Sequence, residues 1–394
     1  MLHRFRDGDA AKSCGAASRC LVAETTFPDH GRMSPDTPSA GKVSRSVFDK
    51  VILPHLGRRP AEVLVPPQNG VDVGVVNLGH DRVMITTTDP VFVYPEYGWE
   101  RAAWFAIHIL ASDAATSGIA AQYMAIDLNL PPMMPDDDFA VLWQALHAEC
   151  DKLGIAIVSG HTGRYEGCAF PMIGGATMIG IGSKDRYLTP AMAQPGDRII
   201  ITKGAAIETT GLFGVTYPKL LVQKLGQQVA EEAEAMFWQM SVVDDALTAV
   251  SVGVRQDGVT SMHDATERGI WGALVEVAQA SGNGIMIDKA AIILPDASQR
   301  VCELFRIDPY CTSSEGTLII TCRPHKAAEV VRRLAGQGIA SSDVGEIVAQ
   351  DSGIKYRDGG REFDLVAPEV DPFWEAFQRA DKGLKPLARG LSAM

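Results

Sequence analysis

The rhythm of apolar and polar positions changes several times along the chain, and each change predicts an element. In SRSVFDKVILPHL (44–56) the apolar residues recur at helical spacing, which predicts a short helix. VDVGVVN (71–77) and RVMITTT (82–88) alternate with a period of two, as half-buried strands do. WERAAWFAIHILASDAATSGIAA (99–121) is apolar on almost every side and predicts a helix buried between layers. A second helix is expected in DDFAVLWQALHAECDKLG (137–154). IAIVSGHTG (155–163) reads as an apolar strand that breaks into a glycine-flanked turn, and PMIGGATMIGIG (171–182) as a further strand.

The stretch SKDRYLTPAMAQPGD (183–197) is rich in turn residues and reads as the crossing between two domains. RIIIT (198–202) opens the second domain, followed by an amphipathic helix (219–240), a Gly-Val-Thr-Ser turn (258–261), a capped helix, and the strands GIMID (284–288) and GTLIIT (316–321). The expected organisation is a mobile extension over 1–40, with Met33 as an alternative start, an N-terminal domain over 41–186, a C-terminal domain over 187–350 and a charged tail over 351–394. No internal repeat or low-complexity block interrupts it.

A length of 394 residues suits two domains of ordinary size, and 46% apolar with 21% charged residues is a globular composition. The formal charge of -12 disfavours nucleic acid and anionic membranes as partners, yet allows ATP, because Mg²⁺ links carboxylates to phosphate oxygens. Seven scattered cysteines, with no metal-knuckle spacing, fit a reducing compartment. No apolar run reaches the length of a membrane span, and the first residues lack a signal-peptide core, so the expected location is the cytoplasm.

The candidate chemistry lies in carboxylates at predicted strand ends and helix starts. Asp72 faces away from the apolar set of its strand, and Asp89 follows the strand RVMITTT. Either has an alternative as an ordinary turn or surface residue. Asp113 interrupts the apolar helix, where it caps a new helix with Ser112 and Thr116 or meets a cation that offsets its burial. Three such carboxylates are also what Mg²⁺ on a triphosphate requires. Ser159, Gly160, His161, Thr162 and Gly163 present a turn able to cradle phosphate, although it lacks the Gly-Lys-Ser/Thr of a Walker A loop. Lys203, Gly204 and Glu208 repeat the theme in the second half. Asp264 and Glu267 match a capping box, which leaves the neighbouring His263 unexplained. His108, on the apolar helix, reads as a satisfied core histidine. No zinc spacing and no Gly-x-Ser-x-Gly elbow occur.

Taken in order, Gly41-Lys42, NGVDVGVV, TTDPVF, ASDAATSG, SGHTG and MHDATERG resemble the motifs of the PurM-like superfamily, and SSEGTLIIT and ITKGAAIETTG bring the chain nearest to the HypE-like, AIR synthase related branch. The resemblance runs from about Gly41 to Val348. It implies an α+β fold in two αβ halves, with an N-terminal domain that dimerises through its strands and holds ATP in clefts at the subunit interface. It assigns Lys42, Asp113, His161 and Asp264 to catalysis, Asp72, Asp89, Asp113 and Asp264 to Mg²⁺, and Asp72, Asp89, Ser159, Gly160, Thr162, Lys203, Gly204 and Glu208 to the nucleotide. Gly41 and Lys42 are expected to form a mobile lid over the triphosphate. Val71 stands where the family pairs a second acid with Asp72, Ser112 where it has Asn, and His161 where it has Asp. Fewer carboxylates imply a lighter hold on metal.

The function implied is transfer of the ATP γ-phosphoryl group to an amide-like or carboxylate oxygen, which drives dehydration or condensation of a small-molecule substrate. The chain ends LARGLSAM with no cysteine after Cys322, so cyanide synthesis on a C-terminal thiol is not expected. Nor does a selenophosphate-synthetase-like cysteine stand near a Gly-rich start, unless Cys14 or Cys20 serves. The alternatives are a small-molecule kinase like thiamine-monophosphate kinase and a nucleotide-binding scaffold without turnover.

Overall fold

The computed structural model describes residues 41–384, so the expected extension over 1–40 lies outside the described residues, as does the end of the tail. The first half opens with α1 (Arg45–Val47), continued by helical turns over Phe48–Ile52 and Leu53–His55. β1 (Val63–Val65), β2 (Gly74–Gly79) and β3 (Arg82–Phe92) follow, then α2 (Trp99–Thr116), β4 (Tyr123–Leu130), α3 (Asp136–Lys152), β5 (Ala156–Arg164) and β6 (Met172–Ser183). The strands form one sheet in the order β1-β2-β3-β6-β4-β5, antiparallel except for the β4/β5 pair joined across α3.

The second half contains β7 (Arg198–Thr202), α4 (Ile207–Thr216), α5 (Pro218–Leu225), α6 (Gln227–Ala235), α7 (Val243–Val250), β8 (Val259–Asp264), α8 (Gly269–Ser281) and β9 (Gly284–Asp288). α9 (Asp296–Phe305), β10 (Leu318–Cys322), α10 (Pro324–Gly336), β11 (Ser341–Val348), β12 (Ile354–Asp358), β13 (Arg361–Asp364) and α11 (Pro372–Leu384) complete it. Its sheet has the order β13-β12-β9-β11-β7-β10-β8. β12 and β13 therefore extend the second sheet, and residues 354–364, read as tail, are regular strand.

Helix α2 explains how the halves meet. One side packs on β3 and β6, another on α3, and a third on β8 and α7, which is why its sequence is apolar nearly all round. Ile107, Leu110 and Ala114 share one core with Ile85 and Met178 of the first sheet and with Val242, Met262 and Ile320 of the second half. The period-two pattern of β3 points Val83, Ile85 and Thr87 toward α2 and leaves Met84, Thr86 and Thr88 on the outer face. Val76, Met84, Ile181, Ile179 and Tyr123 line up across that outer face through the strand register. This apolar row is only half-buried, and Tyr123 is 37% exposed.

In the first half, three local expectations change. β3 does not stop at Thr88 but continues to Phe92, so Asp89 lies within the strand, and the register breaks between Pro90 and Phe92 where proline disturbs the ladder. Asp113 does not cap a new helix, because α2 runs through it to Thr116. The stretch Ser159–Gly163 is not a turn, since β5 continues through it as the outermost strand. Glycine at 160 has a packing cause: a Cβ there would stand 2.4 Å from the carbonyl oxygen of Ile126 on β4.

Candidate functional site

The carboxylates gather where α2 is pinched between the sheets. Asp89 projects from the helix-facing side of β3, Asp113 from the last turn of α2, and Asp264 ends β8, the edge strand that packs on α2. Asp72 precedes β2 and turns toward β8, where its Oδ2 lies 2.9 Å from His263 Nδ1. Asp72, Asp89, Asp113 and Asp264, far apart in the chain, thus act on one another electrostatically.

Asp264 is not the helix cap its sequence suggests. Helix α8 starts only at Gly269, after Arg268 in a left-handed conformation at φ 67°. Freed from capping, both Asp264 carboxylate oxygens are buried without a hydrogen-bond donor, and Glu315 Oε1 shares that condition. Among the described residues, these are the site's orphaned acceptors. A buried carboxylate left so is costly unless a cation compensates. Asp113 does better, since the Thr87 hydroxyl donates to its Oδ2 at 2.9 Å.

Electrostatics follow from this crowding. Burial, then repulsion by Asp264, Asp89 and Asp72, pushes Asp113 well above the ordinary carboxylate range. Burial and Asp72 push Asp264 up to about 7. Glu208, raised by burial to about 7, accepts the Glu315 backbone N–H at 3.1 Å, while Glu315 itself is raised by burial and by Asp264. These are the changes expected of acids that share a space designed for positive charge.

His263 answers the question its sequence left open. Its Nδ1 lies 2.9 Å from Asp72 and its Nε2 2.9 Å from Glu276 Oε2. Carboxylates on both sides require both ring nitrogens to carry protons. Burial works against that charge, but Asp72 and Glu276 outweigh it and raise the imidazole well above its usual value. The ligand-capable atoms of Asp72, His263 and Asp264 fall within 4.8 Å of one another. With both nitrogens engaged, His263 serves as a positive brace between Asp72 and Glu276 rather than as a ligand. Glu276 is held down at about 2, against its own burial, by His263 and then by Lys42 and Arg268. No sequence signal marked Glu276; only its place on the inner face of α8 does.

Lys42 also reaches this region. Its backbone N–H donates to Glu267 Oε2 at 3.2 Å, and its ammonium lies 3.5 Å from Thr266 Oγ1. Lys203 does not join it. Its ammonium is consumed by both Asp245 oxygens, at 2.6 and 2.7 Å, and by the carbonyls of Ser241 and Gly316. That role is structural, and it corrects the expectation of a nucleotide ligand. Gly204 sits at φ +114°, and a Cβ there would stand 2.4 Å from the Ile293 carbonyl oxygen, so backbone conformation and packing both call for glycine. Of this trio only Glu208 faces the acids.

The register also separates Ser159, Gly160, His161 and Thr162 from the cluster. Asp89 pairs with Ala176, Ala176 with Ile126, and Ile126 with Gly160, so three strand spacings intervene, roughly 14 Å. His161 Nε2 instead bonds Tyr165 Oη at 2.6 Å. His108 is the satisfied core histidine expected: it stacks on Trp104 at 4.3 Å and bonds Ser241 at 2.9 Å. Burial lowers it to about 4, against the pull of Glu149.

Mg²⁺ fits this donor set. Asp89, Asp113 and Asp264 offer hard oxygens, two of them orphaned, and a divalent ion would relieve both the missing donors and the mutual repulsion.

Comparison with known proteins agrees with this architecture. Residues 70–182 match the family model of the AIR synthase related protein N-terminal domain, and residues 194–357 that of its C-terminal domain. The chain is 26% identical over 301 residues to the carbamoyl dehydratase HypE of Bradyrhizobium diazoefficiens, covering 73% of this chain and 82% of that protein. The crystal structure of Escherichia coli HypE, a hydrogenase maturation protein, superposes with a TM-score of 0.62 at 21% identity, over 73% of this chain and 87% of that one. HypE in complex with ATP superposes with a TM-score of 0.55 at 17% identity, over 85% and 97%. The fold is the two-domain PurM-like α+β fold.

Proposed function

This chain belongs to the AIR synthase related family, and on that footing we propose that it is an ATP-dependent enzyme acting on an amide-like or carboxylate oxygen of a small substrate. That oxygen attacks the γ-phosphorus, ADP leaves, and the phosphorylated oxygen then departs as phosphate, in a dehydration or by displacement with a nitrogen nucleophile. The observation that carries this reading is the cluster of Asp89, Asp113 and Asp264 with its unsatisfied buried oxygens. The similarity to a carbamoyl dehydratase supports the dehydration outcome.

Asp89, Asp113 and Asp264, with Asp72 in support, would hold Mg²⁺, which neutralises phosphate charge when bound. The chain's other residues arrange that site. Thr87 fixes the rotamer of Asp113, and the His263 brace fixes Asp72 and Glu276. Glu208, at about 7, is suited to exchange the proton that amide dehydration releases. Ser159–Gly163 lies too far across the sheet to share a phosphate with Asp89 in one chain. In a dimer joined at the sheets it would be offered to the partner.

We propose that the enzyme is a cytoplasmic homodimer. The half-exposed apolar row on the outer sheet face supports the dimer, because a second copy would cover it. Light scattering should give the mass of two chains at micromolar concentration, and Ile181→Asp on that face should give one. A monomeric wild type that binds ATP fully would remove the dimer.

The function itself is tested by incubating the protein with Mg-ATP and a panel of carboxamides and carboxylates, reading ADP release and product mass. Loss of water from the acceptor is the expected result. A stable phosphorylated acceptor would make it a kinase instead, and binding without ADP release a scaffold.

A further inference from the structure

The segment that carries Lys42 is fastened around the acid cluster at several points. Lys42 N–H meets Glu267 and its ammonium sits by Thr266, both within three residues of Asp264. Arg45 donates to Gln279 on α8, the helix of Glu276, and the Asn69 amide donates to Asp49 at 2.8 Å, close to Asp72. Gly41 turns at φ +103°, where a Cβ would lie 3.0 Å from Glu267 Oε1. The chain thus delivers one ammonium to the mouth of a site lined by acids.

The ammonium closes on none of them. Among the described residues Lys42 makes no ion pair, and its nearest polar side-chain partner is a neutral hydroxyl. The residue keeps an exposed surface, and the desolvation that its surroundings impose is outweighed by Glu276, Asp113, Asp72 and Asp264, which raise the ammonium above its ordinary value. Lysine suits such a place: a compact charge on a flexible stem, with no fixed bidentate geometry to give up on leaving.

A divalent cation drawn to Asp113 and Asp264 enters the potential that Lys42 already occupies. Like charges drawn to the same acids repel, so metal binding alone works against the ammonium and drives it away from the cluster. Metal carrying a nucleotide brings phosphate oxygens, which give the displaced ammonium a new partner. We propose that Lys42 is a tethered counter-cation of the acid cluster that couples metal binding to nucleotide binding, holding metal affinity low until phosphate arrives. The inference rests on the metal-nucleotide reading of the site and adds its regulation. The linkage is reciprocal, so nucleotide also binds weakly without metal.

The test measures Mn²⁺ affinity by electron paramagnetic resonance, with and without a non-hydrolysable ATP analogue, in wild type, Lys42→Met and Lys42→Arg. Melting curves confirm that each variant is folded. Wild type should bind Mn²⁺ weakly alone and much more tightly with the analogue. Lys42→Met should bind Mn²⁺ alone about tenfold more tightly and lose most of the enhancement by nucleotide. Lys42→Arg, which keeps the charge, should remain close to wild type. If Lys42→Met leaves Mn²⁺ alone unchanged while wild type still binds Mn²⁺ with the analogue, the counter-cation role falls and the metal-nucleotide site stands. If wild type binds no Mn²⁺ under either condition, both fall.

Discussion

Asp113→Asn is expected to lower the affinity for Mg-ATP on the order of a hundredfold, a loss typical of a disturbed metal site, while leaving the fold as stable as before or slightly more so. Asparagine keeps the shape, and the Thr87 hydroxyl still has an oxygen to donate to. What disappears is a carboxyl that burial and then Asp264, Asp89 and Asp72 make costly to ionise, as metal binding requires. Stability and binding therefore move apart, as they do where a site is strained for function. Calorimetric titration with Mg²⁺ and a non-hydrolysable analogue reads the first effect, and a melting curve reads the second. Asp264→Asn should behave alike. Asp136→Asn, an exposed acid at the start of α3, should change neither. Unchanged affinity with a large fall in melting temperature would make Asp113 a structural residue.

In the presence of a chelator, the protein should lose stability as pH rises from 6.5 to 8.5, and Mg²⁺ should restore most of it. The sign follows from linkage. A carboxyl whose folded value is raised holds a proton that the unfolded chain releases, so stability is present at low pH and declines until the folded value is passed. Asp264 and Glu208 both sit at about 7, with Asp113 and Glu315 raised as well. The raised His263 acts in the same direction, since its favourable charge is lost as pH climbs through its folded value. His108, lowered to about 4, opposes them only below the ordinary histidine range and so outside this window. Because the acids are coupled, their contributions do not simply add, and about 2–4 kcal/mol is expected across the window. For a chain of this size that corresponds to a fall in melting temperature of roughly 2–5 °C. A flat or rising stability between these pH values would mean that the acids are solvated and do not share one charge-poor space.

Much of this was legible in the chain, for reasons that are local. Strands β2 and β3 announce themselves by alternation, and α2 by being apolar on every side. The same features exposed Asp113 and Asp72 as polar residues out of pattern. His263 was visible as a residue that capping did not explain, but its partners were not, because Asp72 lies 191 positions away and Glu276 sits in the middle of another element, α8.

Local pattern misled where two structures share one signature. MHDATERG fits a capping box, yet Asp264 ends a strand, because β8 pairs with β10 as far as Leu318 and delays the helix to Gly269. SGHTG looks like a turn, yet pairing with β4 draws it out as an edge strand, and close contact with the Ile126 carbonyl accounts for Gly160. Lys203 resembles a phosphate ligand until Asp245 and two carbonyls are seen to consume it.

Local pattern along the chain is enough for the periodicities, hence the elements, and for the identity and order of the acids. Which acids face one another, which are left without donors, and which cation belongs to the cluster emerge once the chain is packed. The reason is physical: a strand or helix is specified by neighbours a few residues away, whereas a shared electrostatic field depends on distances in space between residues as remote as Lys42 and Glu276.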